Sequence, residues 1–196
     1  KVWGPERIET AITLNGLGLV RNWNRDFDEA EALLRRALAI HEKVLGPEHP
    51  NTVMILNNLA LPLGWKDEFE ESEKLFRLAF TKSKKASGLK DPSTNLYLNN
   101  LLWLLRKKGD LDGEESLSRD VLSLGNEASA SVRLQAAQFM ASRDTEYTED
   151  MVIPALQELL QAEESQVRRQ AAEELGQMGQ VAVPILLSVL QQDHWN

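Results

Sequence analysis

The chain has 196 residues, 42% of them hydrophobic and 27% charged, the balance of a folded protein rather than a disordered one. It contains no cysteine, which excludes disulfides, thiolate catalysis and cysteine-ligated zinc or iron–sulfur centres. The net charge of −8 falls mostly on the second part. Residues 1–124 carry 18 Lys and Arg against 19 Asp and Glu, and residues 125–196 carry 4 against 11. That acidity argues against a nucleic-acid partner, which needs clustered positive charge. The longest nearly apolar run, 181–190, is too short to span a bilayer, so no membrane partner is expected and a cytoplasmic location is.

In chain order, the first feature is a repeat. VWGPERIETAITLNGLG (2–18) returns as VLGPEHPNTVMILNNLA (44–60) and as ASGLKDPSTNLYLNNLL (86–102). Gly4, Gly46 and Gly88 are 42 apart, as are Asn15, Asn57 and Asn99. A fixed period of this length marks a repeat architecture. Within each unit a first apolar run (Leu14, Leu17, Gly18; Leu56, Leu59, Ala60; Leu98, Leu101, Leu102) has helical spacing. A second run follows the polar turns 24–26 and 66–68: Phe27, Ala30, Leu34, Ala37, then Phe69, Ser72, Phe76, Ala79. Each unit therefore predicts two antiparallel helices, linked to the next by a glycine- and proline-containing turn. Gly18 and Ala60 are expected to face Ala30 and Ser72 at close approach. Arg35, Arg77 and Arg119 read as solvated or inter-repeat ion-pair residues. Pro62, followed by Gly64, predicts a kink or an early unwinding before Trp65.

After Leu124 a second period appears: VRLQAA (132–137) returns as VRRQAA (167–172), each preceded by a short polar turn. Intervening helices are predicted to begin near Pro154 and Pro184, since proline suits a first helical turn. Their apolar residues (Ile153, Leu156, Leu159, Leu160; Ile185, Leu186, Val189, Leu190) again have helical spacing.

The 42-residue units, with LGPEHPNT leading into LNNLA and FEESEKLFRLAF, resemble tetratricopeptide (TPR) repeats of the kinesin light chain type over residues 1–124. On that resemblance the units are 4–45, 46–87 and 88–124, with Lys1-Val2-Trp3 ending a missing preceding repeat. Residues 125–196, from about 128 onward, resemble HEAT repeats of the short kind seen in phycobilin lyase proteins and stop where another VR helix would begin. The resemblance implies an all-α protein: a right-handed α-solenoid of about ten antiparallel helices. It also implies that Arg133 and Arg168 tie neighbouring turns together. The chain reads as a stretch of a longer protein.

A search for chemistry returns nothing. His41, His49 and His194 have no partners at metal-ligand spacing, and there is no phosphate loop or nucleophile elbow. No catalytic residue, metal or cofactor is assigned. The binding face is more informative. Positions four apart share a helix face, giving the series Asn15-Leu19-Trp23, Asn57-Leu61-Trp65 and Asn99-Trp103-Lys107. The resemblance implies that the first helices line a concave groove and that these asparagines bind the backbone of an extended peptide. Arg106, Lys107 and Lys108 end the third first helix, where positive charge suits the helix dipole or an acidic partner segment. Three hydrogen bonds at about 0.5–1.5 kcal/mol each reach at most about 4.5 kcal/mol, whereas micromolar binding needs about 8 kcal/mol. Apolar pockets must supply the rest. The expected function is a protein–protein interaction scaffold that recognises a peptide. The alternatives are a sensor or autoinhibitory arm of a nucleotide-switch ATPase, and an architectural spacer.

Overall fold

The computed structural model describes residues 7–143 and 147–192. The readings placed on Lys1-Val2-Trp3, on Gly4 and on His194 lie outside those residues. Every regular element described is helical: α1 (Ile8–Trp23), α2 (Phe27–Leu45), α3 (Pro50–Trp65), α4 (Phe69–Ser87), α5 (Pro92–Lys108), α6 (Leu111–Ser123), α7 (Ala130–Ser142), α8 (Ile153–Leu159), α9 (Ser165–Gln177) and α10 (Val183–Gln192). The expected all-α class holds, with helix ends close to those the apolar periods predict.

Two compact units, 1–110 and 111–196, divide the chain. In the first, each helix packs on the next from α1 to α5, and the first helices of successive units also touch, α1 on α3 and α3 on α5. Small residues permit this. A β-carbon on Gly18 would lie 2.7 Å from Leu34 Cγ and 3.4 Å from the Ala30 carbonyl. In the next unit Ser72 Oγ donates to the Ala60 carbonyl at 2.7 Å. Ala11, Leu14, Ala37, Ile40 and Ile55 form one apolar cluster, and Leu34, Leu59 and Leu63 another. Each cluster joins one unit's helices to the next unit's first helix, so the repeats share a core instead of each enclosing its own.

The turn within each unit is built alike three times. Arg25, Asp67 and Gly109 occupy one repeat position in the left-handed region, at φ 66°, 64° and 74°. The next amide reaches back to the helix each time: Asp26 N to Arg21 O, Glu68 N to Leu63 O and Asp110 N to Leu105 O, at 2.9–3.0 Å. This is the 6→1 bond that closes a helix after a left-handed residue. The linking turns use Gly46 and Gly88 at φ 88° and 80° with extended ψ, backbone that only glycine adopts readily. α3 and α5 then begin on proline behind side-chain caps: His49 Nδ1 accepts from Asn51 N at 3.1 Å, and Asp91 Oδ1 from Thr94 N at 3.0 Å.

Of the two outcomes expected of Pro62, a kink or an early unwinding before Trp65, the unwinding does not occur. The helix runs to Trp65 with Pro62 buried inside it. Proline falls in the last turn, where its missing N–H costs a single helical bond, and the carbonyls of Pro62, Leu63 and Gly64 accept from Lys66, Glu68 and Asp67.

In the second unit α6 packs on α7, α7 on α8 and α8 on α9. α6 lies within the 1–124 array by sequence, yet it clusters with the helices that follow it. Two of its positions depart from the 42-residue pattern: Glu114 stands where Ala30 and Ser72 do, and Ser118 where Leu34 and Phe76 do, all fully buried. Arg133 reaches Glu158 at 2.8 Å. Arg168 donates to the carbonyls of Ala162 and Glu163, both at 2.7 Å, and so closes the end of α8 onto α9. Arg119, expected as a solvated or inter-repeat ion-pair residue, stacks on the Tyr147 ring at 5.0 Å and donates to its hydroxyl at 2.9 Å.

Candidate peptide groove

The first helices α1, α3 and α5 place their repeat-equivalent residues in rows. One row was missed in the sequence: Ile12, Met54 and Leu96, 42 apart and 57%, 38% and 51% exposed. Apolar residues this exposed at equivalent positions of three successive helices form a surface, not a core. The signal was available, since each lies three residues before an asparagine of the ladder. α3 carries no charged residue at all, so this face is uncharged along its middle.

The asparagines form a chain between helices. Asn58 Nδ2 donates to Asn15 Oδ1 at 3.0 Å, and Asn100 Nδ2 donates to Asn57 Oδ1 at 2.8 Å. Asn57 Nδ2 lies 3.4 Å from Asn58 Oδ1 and closes the path. Asn57 is 2% exposed, while Asn15 and Asn99 are half-buried. The donor in each bond is the second asparagine of the doublets 57–58 and 99–100, so the bonded partners are 43 residues apart although the doublets recur at 42. Asn99 Oδ1, equivalent to the acceptors on Asn15 and Asn57, is buried with no hydrogen-bond partner.

The remaining predicted residues divide into exposed and packed. Leu19 is 37% exposed and Trp23 88%. Leu61 and Trp103 are half-buried. Trp65, 45% exposed, stacks parallel on Phe27 with centroids 6.3 Å apart and meets Trp103 at 5.0 Å; Trp103 in turn meets Phe76 edge-on at 6.5 Å. Gly64 makes room for this stack, because a β-carbon there would sit 3.0 Å from the Trp103 ring. Lys107 lies over Trp65 and Phe69, at 5.6 and 5.1 Å, and pairs with Asp67. Arg106 is exposed at the end of α5.

The lysines at the ends of α3 and α5 are largely neutralised from within. Lys66 Nζ is 2.8 Å from carboxylate oxygens of Asp28, Glu31 and Glu68. Those hydrogen bonds, Asp28 foremost, raise its pKa well above the ordinary lysine value. Burial alone would raise the Glu31 carboxyl, but hydrogen bonds from Lys66 and Arg35 hold it below the usual range. Arg35 also reaches Glu71 at 2.9 Å, and Lys108 reaches Glu73 at 3.2 Å. Among the described residues no cluster of histidine and carboxylate side chains could hold a metal ion, and no helix is long and apolar enough to cross a membrane.

Comparison with known proteins agrees with this architecture. Residues 9–61 and 52–93 match tetratricopeptide repeat families, and residues 120–196 match HEAT repeats. Among solved structures the chain is similar to a Podosopora anserina protein of kinesin light chain type with nearly identical TPR-like repeats. The TM-score is 0.63 at 17% identity, covering 97% of this chain and 96% of that one. It is also similar to BtubC (BKLC) from P. vanneervenii, with a TM-score of 0.60 at 18% identity, covering 95% of this chain and 66% of that one. At these identities the likeness concerns the fold alone. No curated protein matches the sequence. Repeat families of these kinds generally act as non-catalytic scaffolds for protein interaction.

Proposed function

With residues 9–93 built of tetratricopeptide repeats and residues 120–196 of HEAT repeats, we propose that the chain is a peptide-recognition module and that its ligand lies extended across α1, α3 and α5. The observation that carries this reading is the exposed apolar row Ile12, Met54 and Leu96, running beside a polar chain of asparagines on a face whose middle helix, α3, carries no charge. An apolar row of this kind supplies affinity, and the amides fix direction and register. In this reading Asn57 and Asn58 chiefly hold the first helices at the spacing a peptide needs. Asn15 and Asn99, less buried, are the amides nearest a ligand backbone. Leu19, Leu61 and Trp103 continue the apolar floor, while Trp23 and Arg106 lie at its basic end.

The test is direct. A phage-displayed library of random peptides is panned on the chain, and synthetic copies of the enriched sequences are measured by fluorescence anisotropy. Ile12→Glu, Met54→Glu and Leu96→Glu, at exposed positions, should each leave the melting temperature within a few degrees and weaken binding at least tenfold. Unchanged affinity in all three variants refutes the groove.

A further inference from the structure

One pocket interrupts the regularity of the first compact unit. It lies between α3, the last turns of α4 and α5, has a volume of about 270 Å³, and is lined by Met54, Asn57, Ser83, Ala86, Leu96 and Tyr97 among others. Its origin is legible by comparing repeats. In the unit before, the equivalent positions on α2 are His41, Val44 and Leu45. His41 is 1% exposed, with Nδ1 3.0 Å from the Ala37 carbonyl, so it fills the space between its helices. On α4 those positions become Ser83, Ala86 and Ser87. Ser83 spends its hydroxyl on Thr94 at 2.7 Å and fills little volume. Ser83 leaves open the volume that the His41 imidazole takes in the unit before, Ala86 and Ser87 add little bulk to the lining, and Met54 and Leu96 stand exposed beside it.

The chemistry of the lining selects the occupant. Small-molecule sites run from about 300 to 1,000 Å³, so this pocket suits one side chain better than a cofactor. Its cation is already committed, because Lys82 Nζ is 2.5 Å from Glu48 Oε1 and 2.9 Å from the Pro47 carbonyl. The lining also includes Asp91, whose Oδ1 caps α5 by accepting from Thr94 N at 3.0 Å. An acidic side chain would meet carboxylates with no uncommitted lysine in the lining, whereas an uncharged one meets Val53, Met54, Ala86, Leu96 and Tyr97.

We propose that this pocket is the anchor site of the groove, taking one uncharged apolar side chain of leucine or methionine size from a peptide whose adjacent residues are neutral or basic. The inference rests on the groove reading given above. Fully burying such a side chain is worth about ten- to a hundredfold in affinity.

The test uses peptides enriched from the random library, the intact chain and the variant Ala86→Val/Ser87→Leu, which restores at two exposed positions the residues found on α2. The enriched peptides should share one aliphatic position without acidic neighbours. Changing that position to Ala, or the chain to Ala86→Val/Ser87→Leu, should cost at least tenfold in affinity. The Met54 ε-methyl resonance should shift when the parent peptide binds and stay in place with the Ala peptide. Peptides that lose affinity with Ile12→Glu but bind Ala86→Val/Ser87→Leu normally, or whose shared residue is acidic, leave the groove intact and overturn the pocket. An absence of any enriched peptide overturns both.

Discussion

Asn100 donates through Nδ2 to Oδ1 of Asn57 at 2.8 Å, from one first helix to the one before it, and Asn58 makes the same bond to Asn15 one repeat earlier. Two identical bonds at a step of 43 fix neighbouring first helices in register, because an amide pair has a direction and a preferred distance that apolar contact lacks. Replacing Asn57 by Ala leaves Asn100 Nδ2 without its acceptor and removes the 3.4 Å contact to Asn58. Asn100 is half-buried, so the loss should lie toward the lower end of the about 1–3 kcal/mol that an unpaired buried polar group costs. Asn99→Ala should behave differently. It deletes an acceptor that has no partner, so stability should change by less than half as much. Urea denaturation of the two variants, followed by circular dichroism, makes the comparison.

The left-handed turn position yields a second expectation. Arg25 and Asp67 hold φ near 65°, where the third repeat uses Gly109. A residue with a β-carbon is strained there by about 1–2 kcal/mol relative to glycine, and the glycine's extra freedom in the unfolded chain offsets part of this. Asp67 pairs with Lys107, so the cleaner test is Arg25→Gly, which should raise the melting temperature. Gly109→Ala should lower it. Thermal melts of both variants against the parent decide the matter, and no increase for Arg25→Gly would mean that the arginine stem contributes packing that outweighs the strain.

The ion cluster around Lys66 predicts how stability depends on pH. Glu31 is held below its ordinary 4.5, so its contribution is present above that value and is lost as pH falls through the lower folded value. Lys66 is raised, so its contribution is complete below its ordinary 10.5 and disappears only at higher, strongly alkaline pH. Neither group changes its share between about pH 6 and pH 9. Melting temperature should therefore be insensitive to this cluster across that window and fall on acidification below about pH 4.5. Glu31→Gln should lower stability at pH 7 and flatten the acid limb. Because Asp28, Glu68 and Arg35 in this cluster are exposed, salt should weaken the effect. A parallel acid limb in Glu31→Gln would assign the loss to other carboxylates.

Features that depend on local spacing were legible in the order of residues alone. Apolar positions three and four apart predicted the helices, and the period of 42 predicted repeated helix pairs in which Gly18 and Ala60 permit close approach. Those features are encoded within a few tens of residues. Glycine at 46 and 88 and proline at 50 and 92 marked the linking turns, because the backbone there admits few alternatives. The tertiary structure decided which side chains of a periodic row face each other. Asn57 and Asn99 share one repeat position, yet one bonds across to the next helix and the other retains an unpaired acceptor. Trp23 and Trp65 also correspond, but Trp65 packs on Phe27 and Trp103 while Trp23 stands exposed. Met54 and Leu96 surround a pocket that exists because α4 lost the bulk α2 retains. Periodicity specifies which face a residue occupies; packing against a particular neighbour decides whether that face is filled, and that depends on the volume and hydrogen-bonding groups of residues a whole repeat away.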